Sequence, residues 1–401
     1  MADMNSVSAR YNRRILSALA ISALAALSQP RAASAENDAA VRAYWTPERL
    51  RDAIPLDRHP AKIGPDGLPT AAPDGGRYAP LTTGPDLAAP AQLPPSAPAS
   101  PPTVFVRLNM AKLYQPKPLP SAAAISPNTI PTYTNQFTTF RVFPSSAAQT
   151  FPYAAVGKLF FTIQAAGGID PPGNYSCTAS VIKARVIATA GHCIGSPRVS
   201  TGGNFVFYSN WMFIPADTGG AAPFGTWTSF SQGVGGGWSS SKGAVPNAED
   251  WGFIDLNDQG LLFPKKIASV TGAFGYSTLA LASKNITQLG YPSNLDNGAD
   301  MEQNNGTTAS AGNVNTWTIG SAMGQGASGG PWVLNFGVAP ACSGQCPSGN
   351  NGLNALGSNF LVAVDSYGPA SPQIGYAGAS EFNADWTSLL TTMCGKKQGT
   401  C

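Results

Sequence analysis

Charge is scarce in this chain. Lys, Arg, Asp and Glu make up 11% of its 401 residues, against about 25% in an average soluble protein. The charges that exist are scattered, with no basic stripe and no long run of one sign. Residues 1–149 hold 14 basic and 9 acidic residues, and residues 150–401 hold 10 and 12. Such a distribution lacks the electrostatic footprint that nucleic-acid binding needs. Histidine is rarer still: His59 and His192 are the only two. A metal centre built on histidine clusters is therefore disfavoured, and Cys342 and Cys346, although close together, have no histidine near them in sequence. Cysteine is absent before Cys177. The chain also lacks an apolar run of membrane-spanning length. Residues 15–27 form a 13-residue apolar stretch, short of the roughly 20 residues a spanning helix requires.

What is abundant is glycine and proline, 44 and 35 residues. Their distribution divides the chain. Arg10, Arg13 and Arg14 precede the apolar stretch, and Ala33-Ser34-Ala35 follows it. This is the layout of a removable export signal over residues 1–35, cut after Ala35. It implies a secreted protein, extracellular or periplasmic, with no membrane association once the signal is gone. Six cysteines, an even number, then suggest disulfides formed in an oxidising compartment. Residues 36–150 read as a Pro-rich pro-segment or linker. Residues 36–54 suit a short helix. Residues 55–131 carry 18 of the 35 prolines and are expected to be mostly disordered, because they can bury too little apolar surface. A second maturation cut is expected between Pro120 and Phe151.

From residue 151 to 401 the texture is different. Short β-type runs occur at 158–163, 178–182, 185–189, 205–208, 252–256, 286–289, 317–319, 332–334 and 361–364, separated by Gly, Ser and Asn. This spacing predicts an all-β sandwich or barrel architecture, and about 250 residues suffice for two small barrels. One helix is expected at the end. Phe382, Trp386, Leu389, Leu390 and Met393 share a helical face, with Ser380 as N-cap.

Three segments carry chemistry. Ser328 sits in Gly-Gln-Gly-Ala-Ser-Gly-Gly-Pro, residues 324–331. A nucleophilic serine needs a tight backbone whose N–H groups converge on one oxygen, a stabilisation worth several kcal/mol in a transition state. Glycine at 326 permits the unusual backbone orientation of the first donor, and Gly329 and Gly330 are read as leaving room for substrate. His192 ends an apolar run, in Thr-Ala-Gly-His-Cys, 189–193, and histidine held rigidly is the usual general base. Cys177 and Cys193 flank two predicted strands, and a disulfide between them would pin the loop carrying His192. Four cysteines remain, allowing three pairings; Cys342–Cys346 and Cys394–Cys401 are the favoured short-range ones. Asp250 opens the apolar strand 250–256 and can be half buried while reaching an imidazole, whereas Asp255 faces the other side of that strand.

These blocks resemble the chymotrypsin-like, trypsin-fold serine peptidase family, in the style of its bacterial secreted members. The resemblance covers roughly residues 150–401, and the order His, Asp, Ser agrees with it. It implies two six-stranded antiparallel β-barrels with a C-terminal helix. It implies a triad of His192, Asp250 and Ser328, an oxyanion hole of the Gly326 and Ser328 N–H groups, and serine endopeptidase activity through an acyl-enzyme. Ser366-Tyr367-Gly368 is similar to the family segment whose backbone pairs with substrate. Ala322 falls where the family places the base of the specificity pocket, and Asp365 where glutamyl-specific members have a histidine, so a glutamyl preference is not expected. A hydrophobic P1 residue is favoured, with Lys or Arg on Asp365 as the alternative. The position before the nucleophile is Ala327 rather than the Asp of animal digestive members, so activation by a freed amine at that position is not expected. The implied partners are protein or peptide substrates, for a monomer with no cofactor, no metal and no nucleic acid. The competing readings are a catalytically silent secreted binding or adhesion protein on the same fold, and a wall-associated protein whose Pro-rich part is the functional one.

Overall fold

The computed structural model describes residues 38–60, 136–164, 168–197, 205–260, 262–278, 280–310, 316–338, 358–369, 375–396 and 401. The strands of the first sheet are β1 (Ile54–Pro55), β3 (Val156–Ile163), β4 (Gly173–Val181), β5 (Val186–Thr189), β8 (Ser209–Pro215), β9 (Trp227–Val234) and β10 (Gly252–Leu256), and a small separate pair is β6 (Gly195–Ser196) with β7 (Val206–Phe207). The second sheet has β2 (Phe137–Arg141), β11 (Gly275–Tyr276), β12 (Asn285–Gly290), β13 (Glu302–Thr307), β14 (Ala309–Ser310), β15 (Thr316–Gly320), β16 (Pro331–Leu334), β17 (Phe360–Tyr367) and β18 (Tyr376–Glu381). The expected all-β architecture is observed, and a helix over Ala384–Gly395 closes the chain.

In the first sheet the order β4-β3-β8-β9-β10-β5 returns to β4 through the β4–β5 pairing, so these six strands form a closed barrel. Side-chain alternation decides what fills it. On β3, Leu159, Phe161 and Ile163 point into the main core, and Phe160 points the other way. The outward Phe160, with Met212 and Ile214 of β8, would leave an apolar face in water. Val41, Trp45 and Ala53 cover it. Residues 38–44 are helical, and a second turn of helix, Pro47–Arg51, starts at Thr46, whose side chain accepts the Arg49 N–H, with proline just inside the helix. Trp45 Nε1 donates to the Asn210 carbonyl at 2.6 Å, and Tyr44 Oη to Asn174 at 2.8 Å. Burying each large side chain of this kind contributes roughly 1.5–3 kcal/mol.

The second sheet departs from the expected closed six-stranded barrel. It runs β14-β15-β18-β17-β16-β12-β13-β2 and stays open. The reason is β2, which occupies the free edge of β13, with Glu302 opposite Arg141 and Gly306 opposite Phe137. A main-chain ladder from β13 to β15 would need that edge. Side chains span the gap instead: Asn304 Nδ2 donates to the Gly320 carbonyl at 2.8 Å. The packed structure therefore begins before residue 151. The helix expected within 36–54 is present as two short pieces, at 38–44 and Pro47–Arg51, while β1 and β2 bring parts of the segment expected to be mostly disordered into the sheets; β2 lies inside the window expected for a second cut. Most of the Pro-rich stretch, 61–135, lies outside the described residues, as does the proposed Cys342–Cys346 pair and the export signal.

The C-terminal helix packs on the first barrel. Trp386 stacks on Phe382 at a centroid distance of 4.2 Å and meets Phe253 of β10 edge-on at 4.9 Å. Its N-cap is Asn383, which accepts from Trp386 N. Ser380, the expected cap, is still in β18 and donates to the Asn247 carbonyl. Cys394 is bonded to Cys401. Among the described residues, no helix is long and apolar enough to cross a membrane.

Asp217, just after β8, is buried, and burial raises its pKa to about 6, with Lys158 and the Gly220 N–H acting downward. The folded protein holds this proton up to about pH 6, whereas the unfolded chain loses it near pH 4. Between these values unfolding releases a proton, so Asp217 makes stability fall as pH rises, by about 3 kcal/mol in all. Asp217→Asn should flatten the stability profile between pH 4 and 6, measured by urea unfolding across that range. An unchanged slope would show that Asp217 is not the titrating group.

Candidate active site

Asp250 lies just ahead of β10 and His192 in the turn after β5, and β5 and β10 are adjacent antiparallel strands. That pairing brings residues 58 apart in sequence into contact. Asp250 Oδ2 accepts from His192 Nδ1 at 2.7 Å, and Oδ1 accepts from the His192 backbone N–H at 2.8 Å. Ser366 Oγ, at the end of β17, donates to Oδ2 at 2.6 Å. Asp250 and His192 are both wholly buried. Burial alone pushes the Asp250 carboxyl upward, but His192 and the Ser366 hydroxyl outweigh it and hold the group below its usual value. The carboxylate is thus the ionised, fully hydrogen-bonded centre of the cluster.

The disulfide Cys177–Cys193 ties the His192 turn to β4, with Cα atoms 6.3 Å apart. Trp238 supports the turn from the other side, its ring centroid 6.0 Å from that of His192, and its Nε1 donates to the Gly195 carbonyl at 2.9 Å. A side chain at Gly191 would strike this indole at 2.9 Å. Trp238 was not singled out in the sequence. Its signal was a lone aromatic inside the Gly- and Ser-rich stretch 233–241.

Ser328 is buried beside this pair, in a turn docked onto the first barrel. Thr178 of β4 donates its N–H to the Ser328 carbonyl at 2.8 Å and its hydroxyl to the Gly326 carbonyl at 2.8 Å. Gly326 has φ +95°, and a Cβ there would meet the Tyr291 carbonyl at 2.6 Å. The special backbone expected at 326 is therefore present. Gly329 and Gly330 serve a different end from the one expected. A Cβ on Gly329 would collide with Thr189 Oγ1 and the Thr178 carbonyl, and one on Gly330 with the Leu289 carbonyl. They allow close packing of the turn against neighbouring strands rather than room for a ligand. Thr178, which anchors that packing, carries no sequence signal of its own. His192 Nε2 has no hydrogen-bond partner among the described residues, so no bond to Ser328 is formed.

The remaining residues are placed as follows. Ala327 is buried, with its N–H on the Gly324 carbonyl at 3.1 Å. The loop before it is held by Ser293 N–H on the Gln325 carbonyl at 2.7 Å and Gly324 N–H on Asn294 Oδ1 at 2.8 Å. Ala322 is exposed, its N–H on Thr139 Oγ1 at 3.2 Å and its carbonyl on Asn294 Nδ2 at 2.8 Å. Asp365 is buried, with its backbone bonded to Gly329 and Gly330. Burial, and to a lesser degree Asp57, push its carboxyl well above the ordinary range, against the lowering effect of Trp332 and Gln288. Tyr367 is buried against Gly378 and Tyr376. The Gly368 N–H donates to the Arg58 carbonyl at 3.0 Å.

No protein-family model matches the chain. It is 30% identical over 175 residues to glutamyl endopeptidase of Bacillus licheniformis, an alignment covering 43% of this chain and 49% of that protein. The chain thus matches about half the length of that relative. Among solved structures it is similar to the protease Anisep of Arthrobacter nicotinovorans, with 25% identity, 60% of this chain and 94% of that one covered, and a TM-score of 0.45. A thermostable serine protease from an extremophilic microorganism shares 21% identity over 61% and 98% of the two chains, with a TM-score of 0.47. The closed six-stranded barrel, the open second sheet and the C-terminal helix make a trypsin-like fold, and over the aligned 175 residues the chain is similar to a bacterial glutamyl endopeptidase.

Proposed function

We propose that the protein is a secreted serine endopeptidase with Ser328 as nucleophile, His192 as general base and Asp250 as the group that orients it. The observation that supports this best is the buried Asp250 carboxylate, which takes both the Nδ1–H and the backbone N–H of His192. With Nδ1 donating to Asp250, Nε2 is the nitrogen left to accept a proton. Ser328 Oγ attacks a peptide carbonyl, His192 takes its proton and returns it to the leaving amine, and water then releases the acyl group by the same route. The N–H groups of Gly326 and Ser328 hold the oxyanion. Peptide or protein chains are the substrates, and the reaction needs no cofactor.

Labelling with a fluorophosphonate followed by peptide mapping tests the assignment. Wild-type protein should carry the label on Ser328 after long incubation. Ser328→Ala should carry none, and His192→Ala should lower peptidase activity by about a thousandfold or more while remaining folded. Activity retained in clean Ser328→Ala protein would refute it.

For the P1 residue we favour a medium or large apolar side chain. The burial of Asp365 supports this over a basic preference, because it pushes the carboxyl upward and disfavours the charged form that Lys or Arg would pair with. Burying such a side chain contributes roughly 1.5–3 kcal/mol, so kcat/KM for Phe or Leu should exceed that for Ala by about tenfold to a hundredfold. Matched peptides with Phe, Leu, Ala, Arg and Glu at P1 provide the comparison. A preference for Arg that disappears in Asp365→Asn would reverse the choice.

A further inference from the structure

Residues 54–59 pack against the turn that carries Ser328, at Gly326, and against Gly368. Ile54 and Pro55 pair in parallel with Tyr175 and Ser176 of β4. Leu56 is buried; its N–H donates to the Ser176 carbonyl at 2.9 Å, and its carbonyl accepts the Gly326 N–H at 3.1 Å. Two residues on, the Arg58 carbonyl accepts the Gly368 N–H at 3.0 Å, and His59 Nδ1 lies 3.2 Å from the Gly368 carbonyl. Between them, burial pushes the Asp57 carboxyl upward, with nearby His59 and His192 acting in the opposite direction. The segment is locked by Arg58, whose guanidinium makes a two-pronged ion pair with Asp170, one prong at 2.9 Å. Both side chains are largely buried, 9% and 13% exposed. This pair links residues 112 apart, and a buried two-pronged pair is the strong form of such a contact.

We infer that residues 54–59 are a built-in blocking ligand of the active site, which occupies the Gly326 and Gly368 N–H groups and must leave before substrate can bind. The inference rests on the proposed triad. The bonded groups are those a substrate would need: the Gly326 N–H assigned to the oxyanion and the Gly368 N–H assigned to the substrate backbone. The segment also runs in the same direction as β17, since Leu56 lies at the Ser328 turn and Arg58 at Gly368. It gives Gly368 a single backbone bond, where a strand added antiparallel would exchange two at one residue. Its hold comes from Leu56, from the Arg58–Asp170 pair and from the covering helices of residues 38–51, not from substrate-like pairing. Ser328 and His192 are accordingly buried, 1% and 0% exposed.

The test uses the full chain and two readouts. The rate of fluorophosphonate labelling of Ser328 reports access, and amide hydrogen exchange at Gly326 and Gly368 reports the segment itself, independently of chemistry. The double variant Leu56→Ala/Arg58→Ala should label about tenfold faster or more than wild type, with faster exchange at both glycines. Asp170→Asn, which removes the same ion pair from the other side, should act in the same direction. Near-UV circular dichroism identifies any variant that fails to fold. A synthetic peptide of residues 53–60 added to the double variant should slow its labelling again. Wild-type labelling and exchange as fast as in both variants would overturn the blocking role. Faster exchange with no labelling of Ser328 in any variant would leave that role standing and overturn the proposed chemistry instead.

Discussion

The Asp250 carboxylate is the constraint on which the site depends. A buried charge costs several kcal/mol unless it is fully hydrogen-bonded, and here the donors come from both halves of the fold. His192 supplies two from the closed barrel and Ser366 supplies one from the open sheet. Satisfying one side chain therefore fixes how the two sheets meet at the cleft. The Ser328 turn is set by a second junction of the same kind. Thr178 of the closed barrel holds the carbonyls of Ser328 and Gly326. Histidine and serine reach the cleft from different sheets, and the distance between them is governed by these two polar seams.

The open second sheet and the covered first barrel have one origin. Both take residues from the N-terminal segment to finish surfaces that the later part of the chain leaves incomplete. β2 fills the edge of β13, which would otherwise present unpaired backbone groups. Val41, Trp45 and Ala53 fill the apolar face of β3 and β8. The Arg141 guanidinium at the end of β2 also pairs with Asp296 and lies near Asp300 and Glu302, where three carboxylates would otherwise repel one another.

Much of this was legible in the sequence, and the failures have physical causes. The blocks around His192, Asp250 and Ser328 could be read because each is fixed locally, by a strand end, a cysteine or a glycine that no other residue replaces. The strands at 158–163, 186–189 and 252–256 were visible as apolar runs. β13 was not, because Glu302-Gln303-Asn304-Asn305-Gly306-Thr307 is polar throughout. It is largely buried all the same, since Asn304 and its neighbours satisfy each other and the adjacent backbone. Proline content made residues 55–60 look unstructured. Their order comes from contacts such as Arg58–Asp170, which no local pattern encodes. The roles of Gly329 and Gly330 were misread for the same reason: what crowds them is Thr189, Thr178 and Leu289, far away in sequence.

The covalent path between the two attached parts of the N-terminal segment has a consequence for dose. Residues 38–60 sit on the closed barrel and residues 136–150 run into its first strand, joined by the chain between them. While that connection is intact, residues 54–59 belong to the same molecule as the site they cover, at an effective concentration set by the tether rather than by how much protein is present. A single cut between residues 60 and 136 would leave the contacts described for residues 38–60 in place and remove this term. Rebinding would then depend on how much protein is present. The cut protein would stay closed where it is concentrated and open on dilution, so that leaving a crowded site of synthesis would itself complete the change.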